Sequence, residues 1–243
     1  MTDAEALQST KTEPAGLINT AINIIASPSE AFSELEQRPT KLFPIAVILI
    51  SMMLVMFWYY TIVDFDWFID DSLALANLSE DQMEAARDGM TSMSQTTFTM
   101  FGVLGGPAAF FVFWVIQAGY LSLMSALIGD RFKFTNWFSL VVWTALPYLL
   151  SNVGMAVTVA LSPNGQLSAA ELNPLTLRNL GMEVNIASLD ALFLQLDLTI
   201  IWAIALTLMA YKQWLESSWI KACGIVLAPY LLLTGVWAYF ALT

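Results

Sequence analysis

The chain has 243 residues, of which 58% are hydrophobic and only 12% are charged. Soluble domains average about 45–50% apolar and about 25% charged residues, so this composition predicts an integral membrane protein. The sequence contains no histidine, which excludes His-based catalytic dyads, HExxH zinc sites and haem ligation by histidine. Its single cysteine, Cys223, excludes an internal disulfide. We therefore expect no enzymatic activity, no metal and no cofactor.

The first 42 residues are predicted to form a cytosolic N-terminal tail with two amphipathic helices. The first 14 residues are polar and predict a disordered segment. Ser27, Pro28 and Glu30 then match an N-cap, a first-turn proline and a capping box, so they predict the start of the second helix. Both helices are expected to lie in the membrane interface or, equally well, to pack on the cytosolic ends of the spans. The apolar face of the first helix consists of Leu17, Ile18, Ala21, Ile22 and Ile25.

The remaining residues, 43–243, are predicted to form one all-α membrane domain. Two long uncharged runs, 89–129 and 134–170, flank the short turn 130–133, which contains Arg131 and Lys133. Each run exceeds the roughly 20 apolar residues that cross a bilayer core, so the runs predict a transmembrane helical hairpin. The whole pattern predicts a polytopic protein with five transmembrane helices, at about 43–63, 98–128, 137–161, 190–211 and 219–242.

The distribution of charge predicts the orientation of these spans. With five crossings, seven of the nine Lys and Arg residues fall on the side of the N-terminus and two on the other side. Because cations are retained on the cytoplasmic side, we expect a cytosolic N-terminus and an outside C-terminus. Eleven of the 20 acidic residues then lie in outer loops, so the net charge of −11 is mainly an outer-face property. Nucleic-acid binding is not expected of such a chain.

Glycine and proline residues predict kinks in three of the spans. The triplet Gly105, Gly106 and Pro107 lies within the second span, Pro147 within the third and Pro229 within the fifth. A proline inside a helix removes one backbone hydrogen bond and clashes with the preceding turn, which bends or interrupts the helix.

Asp197 is the one ionisable side chain that is a candidate to lie within the hydrocarbon core of the bilayer. A buried charge at that depth would indicate ion or proton coupling. The alternative, which the sequence 195–199 favours, is that a helix begins at this residue and that Asp197 caps it at the outer interface. Further polar candidates are Gln117, Ser151 and Asn152, which either join neighbouring helices by hydrogen bonds or line a polar path.

An acidic cluster follows the first span and includes Asp64, Asp66, Asp70 and Asp71. Four carboxylates within eight residues could ligate calcium, but the glycine and the terminal glutamate of a calcium-binding loop are missing. The intervening Trp67, Phe68 and Ile69 favour a solvated acidic face that packs at the interface.

The whole pattern resembles the Yip-domain family, membrane proteins named for interacting with Ypt/Rab GTPases in eukaryotes and widespread in bacteria. Three stretches carry the resemblance, and together they extend over about residues 17–240. They are Ala26 to Phe32 followed by Pro39 and Pro44; Ile128 to Phe134 followed by Ser139, Leu146 and Pro147; and Ser188-Leu189, Leu196-Asp197 and Trp202 followed by Lys221-Ala222.

The resemblance implies a five-span helical fold with a cytosolic N-terminus and no catalytic residues. The short loops and the lack of sorting signals fit a bacterial cytoplasmic-membrane type. The leading hypothesis is a non-enzymatic membrane adaptor or assembly factor that contacts copies of itself or other membrane proteins, including an ABC exporter. The competing hypothesis is a transporter or channel for a small solute or lipid, based on Asp197, Gln117 and Asn152 and on the interrupted spans.

Overall fold

The computed structural model describes residues 16–76, 78–162, 164–182 and 186–242, and confirms the predicted all-α class. The predicted disordered segment 1–14 lies outside the described residues. Within them, helices account for most of the chain and the one β-type pairing is an isolated bridge between Thr176 and Asp197. The helices are α1 Leu17–Ala26, α2 Pro28–Gln37, α3 Leu42–Ile62, α4 Phe65–Leu75, α5 Glu80–Thr91, α6 Gln95–Ile128, α7 Phe134–Thr144, α8 Tyr148–Ala160, α9 Ala187–Gln195, α10 Leu198–Trp214 and α11 Trp219–Leu242.

Four helical segments of the described chain are long and apolar enough to cross a membrane. They are Leu42–Ile62, Gln95–Ile128, Phe134–Ala160 and Trp219–Tyr239, and they correspond to the first, second, third and fifth predicted spans. The chain is therefore a multi-pass membrane protein by the length and composition of its helices. The predicted count of five spans is not confirmed.

The fourth predicted span, 190–211, is divided into α9 and α10. Asp197 has an extended backbone (φ −121°, ψ 167°), and its side chain accepts hydrogen bonds from the N–H groups of Thr199 and Ile200. These contacts satisfy the first free donors of α10, so a new helix begins there instead of continuing α9. The resulting α10 has 17 residues, which is the lower limit of the range of about 17–25 residues for a membrane crossing.

Helix α7 forms the centre of the larger hydrophobic core. All residues from Trp137 to Thr144 are buried, and they pack among α2, α3, α6 and α10. The indole rings of Trp137 and Trp214 lie 5.3 Å apart between centroids. Helix α7 ends at Thr144, and residues 145–147 form a turn in which Pro147 directly precedes α8. The third predicted span therefore consists of two helices separated by a turn.

The N-terminal helices pack on this core. Helix α2 buries Phe32 and Leu35, and the indole N–H of Trp214 donates to the carbonyl of Phe32 at 2.9 Å. In α1, Ile24 and Thr20 face the protein, and the Thr20 hydroxyl donates to Glu34 at 2.9 Å. Most of the predicted apolar face of α1 points away from the rest of the chain, since its exposed members are Leu17, Ile18, Ile22 and Ile25.

A second, smaller core joins the end of α3 to α4 and to the segment that follows α8. It includes Tyr59, Phe68 and Leu167, and the Tyr59 hydroxyl donates to the carbonyl of Leu167 at 2.9 Å. This contact holds the long connection between α8 and α9 against the first span. The same connection supplies a residue of the site described next.

Candidate functional site

Asp197 lies at the N-terminus of α10 and is 5% exposed. Its Oδ1 accepts from the backbone N–H of Thr199 at 2.8 Å, the Thr199 hydroxyl at 2.6 Å and the N–H of Ile200 at 2.9 Å. The side chain is thus the N-cap of α10, the helix start that the sequence 195–199 favoured. The N-terminal end of the helix dipole stabilises the carboxylate.

The other carboxylate oxygen of Asp197 joins two further parts of the chain. Its Oδ2 accepts from the Ser151 hydroxyl of α8 at 2.8 Å and from Nδ2 of Asn173 at 2.8 Å. The Ser151 hydroxyl also lies 2.9 Å from the Thr199 hydroxyl. A buried carboxylate is therefore surrounded by five neutral donors, and no lysine or arginine lies among the described residues that contact it.

The connection after α8 is fixed to this cluster by backbone pairing as well. The N–H of Leu177 donates to the carbonyl of Leu196 at 2.8 Å, and the N–H of Leu198 donates to the carbonyl of Leu175 at 3.1 Å. The two short segments on either side of Asp197 and Thr176 therefore run antiparallel. This pairing holds Asn173 near the start of α10.

Asn152 follows Ser151 on α8 and joins this helix to α3. Its Nδ2 donates to the Ser51 hydroxyl at 2.7 Å and to the carbonyl of Ile48 at 3.3 Å. Like Ser151 and Asp197, it lines a cavity of about 480 Å³. The structure thus brings together three of the four polar residues that the sequence singled out.

Gln117, the fourth, lies elsewhere. Its Nε2 donates to the Tyr230 hydroxyl at 3.0 Å, which joins α6 to α11. The cavity next to it, lined also by Thr207, has a volume of about 10 Å³, scarcely the room that one water molecule needs. Gln117 therefore acts as an interhelical contact and not as a wall of the larger cavity.

Sequence reasoning missed three residues of this region. Asn173 was not among the candidates, yet its amide binds Asp197. Thr199 appeared only as part of a helix start, although its hydroxyl binds the same carboxylate. Tyr148 lines both the 480 Å³ cavity and its neighbour. No sequence pattern predicts the first and third, because the partners are distant in the chain.

The residues predicted as kinks fall into two groups. Helix α6 continues through Gly105, Gly106 and Pro107, while Pro229 lies inside α11. Pro147, by contrast, stands in the break between α7 and α8. Among the described helices, only α6 and α11 contain a proline beyond the first turn, since Pro28 and Pro44 lie in the first turns of α2 and α3.

The acidic cluster has structural partners of its own. Asp64 caps α4 by accepting from the N–H groups of Asp66 and Trp67, while Asp70 pairs with Arg87. Asp71 accepts from the Ser168 hydroxyl at 2.7 Å. Among the described residues, no group of three or more metal-ligating side chains has the arrangement of a metal site.

These features define an all-helical, multi-pass membrane protein with a buried polar cluster at the start of one inner helix. The chain belongs to the Yip1 domain family, whose sequence model matches residues 22–240. The predicted resemblance is thereby confirmed. This family is not known as a family of enzymes. No curated protein sequence and no solved structure matches the chain significantly.

Proposed function

We propose that the protein is a non-enzymatic membrane adaptor or assembly factor that acts through lateral contacts of its helices. The observation that carries this proposal is a set of glycines that the fold of a single chain does not explain. A glycine inside a helix costs about 1 kcal/mol relative to alanine, so it needs a compensating contact. In membranes that contact is the close approach of a second helix.

Helix α6 contains both kinds of glycine, those that contact another helix of the chain and one that contacts nothing. A Cβ at Gly102 would overlap the ring of Tyr60, and one at Gly106 would lie 2.9 Å from Cε of Met52. Gly102 is therefore required by its contact with the ring of Tyr60 on α3, whereas the flexible end of Met52 can shift away from a Cβ at Gly106. A Cβ at Gly105 would meet nothing within 4 Å, and the residue is exposed.

Open space also surrounds other glycines of the two outer helices. Gly105 and Ala109 are four residues apart on the exposed side of α6, which is the spacing of a close helix–helix contact. We infer that this surface accepts a helix of a second copy or of another membrane protein, such as a subunit of an ABC exporter. The other glycines with open space in these helices are Gly119, Gly224 and Gly235.

The test compares tagged proteins purified gently from the native membrane. With the wild type we expect a second copy or one membrane partner in stoichiometric amount, identified by mass spectrometry. Gly105→Leu should abolish that association by blocking close approach. Ala126→Leu adds a larger side chain at an exposed position near the other end of α6 and should retain it. Equal recovery from both variants, or solute transport by the purified protein alone, would contradict the proposal.

We further propose that α10 is a fifth crossing and that the protein resides in a bacterial inner membrane, N-terminus inside and C-terminus outside. In support, α10 packs against α2, α7, α8 and α11. Other helices therefore surround α10, whose length is at the lower limit for a membrane crossing. A membrane-impermeant maleimide, applied from outside to a Cys223→Ser background, should label Ala85→Cys and not Lys133→Cys. The reverse labelling would contradict this orientation.

Transport of a small solute or lipid is the second candidate, and the 480 Å³ cavity beside Asp197 supports it. The position of Gln117 argues against a path lined by all the predicted polar residues. A flux assay in liposomes with wild-type protein and Asp197→Asn distinguishes transport from the adaptor function. Flux that requires the carboxylate would favour transport over the adaptor function.

A further inference from the structure

Two cavities adjoin around Tyr148. The cavity of about 480 Å³ has a largely apolar wall that also contains the polar groups of Asp197, Ser151 and Asn152, and a second, more apolar cavity of about 710 Å³ lies between α6 and α11. They share four lining residues: Phe110, Tyr148, Gln195 and Ile200. Each volume falls in the range of about 300–1,000 Å³ that is typical of ligand sites. We call these two adjoining cavities together the compartment; its end at Asp197 carries several polar groups and its other end is apolar.

The polar end is acidic and has free hydrogen-bonding capacity. The Asp197 carboxylate is held by neutral donors alone, and no cationic side chain lines this cavity among the described residues. The dipole of α10 offsets about half of one negative charge. In the described part of the chain, neither the Tyr148 hydroxyl nor the side-chain amide of Gln195 has a hydrogen-bond partner. Both groups can therefore bind a ligand.

The apolar end is lined mainly by residues of α6 and α11, together with Leu192 and Gln195 of α9. The two helices are joined by Gln117 and Tyr230 and by the Tyr120 hydroxyl, which donates to the carbonyl of Ile225 at 2.9 Å. Beyond Tyr230, the cavity is lined by Leu233 and Trp237 of α11. Leu233 is 59% exposed, so this end of the compartment borders the outer, lipid-facing surface of the helices.

We propose that this compartment binds a single-chain amphiphile with a primary ammonium head group. The ammonium lies beside Asp197, where it supplies the missing counter-charge and three donors for nearby oxygens. The hydrocarbon chain lies between α6 and α11. A carboxylate or phosphate head group is repelled by Asp197. This site is separate from the exposed glycine surface and does not depend on the adaptor function.

The experiment uses the purified full-length chain and three photoreactive probes with the same diazirine-bearing hydrocarbon chain. Their head groups are a primary amine, an alcohol and a carboxylic acid. Peptide mapping should place saturable amine labelling on the cavity residues of α6 and α11, including Phe110 and Trp237. Half-saturation should require at least about tenfold more carboxylic acid than amine, because the acid brings a second negative charge to Asp197.

Variants separate the two ends of the compartment. Asp197→Asn keeps a good N-cap and should remove the preference for the amine. Leu233→Trp fills the apolar cavity and should reduce labelling by all three probes. Leu231→Trp is the matched control, because Leu231 is 66% exposed on the same helix and does not line the cavity.

Two results would overturn the proposal. One is labelling spread evenly over exposed positions such as Phe101 and Leu127 and unchanged by Leu233→Trp. The other is equal half-saturation by the three probes on the wild type. Neither result depends on the folding of Asp197→Asn, since the head-group series and the Leu233 variant suffice.

Discussion

The segment of α7 and α8, whose buried part lies mainly in α7, and the outer helices α6 and α11 are similarly apolar but differ in what they contact. In Phe134–Ala160, 56% of the most apolar stretch is buried, compared with 11% for both Gln95–Ile128 and Trp219–Tyr239. Buried apolar side chains fix the fold through packing, whereas exposed ones contact lipid or another protein. The inner helix α7 should therefore determine stability, and the outer helices should determine association.

The largest expected effect comes from a large side chain at the centre of the inner region. Trp143 is 0% exposed, and its indole N–H donates to the carbonyl of Thr40 at 2.8 Å. Trp143→Ala should destabilise the protein by about 3–5 kcal/mol, measured by denaturant unfolding in detergent. Phe101→Ala on α6, where the ring is 70% exposed, is the control and should change stability by less than about 0.5 kcal/mol. Equal losses would remove the distinction between the regions.

The second prediction concerns the capped start of α10. Asp197→Ala should cost about 1 kcal/mol for the cap and about 1–3 kcal/mol more for the unpaired donors of Ser151 and Asn173. Asp197→Asn should retain much of the stability that the cap contributes, because asparagine caps helices as well as aspartate does. Thermal unfolding of both variants measures the difference. Identical midpoints for the two would show that the cap is unimportant.

The third prediction compares two glycines of one outer helix. Gly102→Ala should destabilise the protein by about 1–3 kcal/mol, because its Cβ would overlap the Tyr60 ring. Gly105→Ala should raise the stability of the isolated chain by up to about 1 kcal/mol, since alanine favours the helix and meets nothing. Unfolding of each variant checks the signs. A destabilising Gly105→Ala would mean that this position is already in contact.

The smallest effect is expected at an exposed ion pair. Arg131, in the turn between α6 and α7, pairs with Glu36 of α2. The arginine side chain is 78% exposed, so Arg131→Ala should cost about 0.2–1 kcal/mol, and the loss should shrink at high salt. Unfolding at low and high ionic strength measures it. A larger, salt-independent loss would mean that this turn belongs to the inner core.

The sequence by itself determined the membrane class, the helical content and most helix positions. Long uncharged runs are properties of neighbouring residues, and they predicted α3 and α11 nearly to the residue. The start of α2 at Pro28 was also predicted, but the expected side-chain cap by Ser27 is absent. The motifs in the three matching stretches also indicated the family. Local signals even allowed for a helix that begins at Asp197, since aspartate before Leu198 and Thr199 is typical of an N-cap.

Only the tertiary structure decided which surfaces are buried and which polar residues meet. Ile24 of α1 lies in the core and Ile18 is exposed, although both belong to one short apolar helix. Asn173 and Ser151 reach the same carboxylate from different parts of the chain, while Gln117 lies apart. Such contacts join residues far apart in sequence, so periodicity and composition, which describe near neighbours, do not contain them.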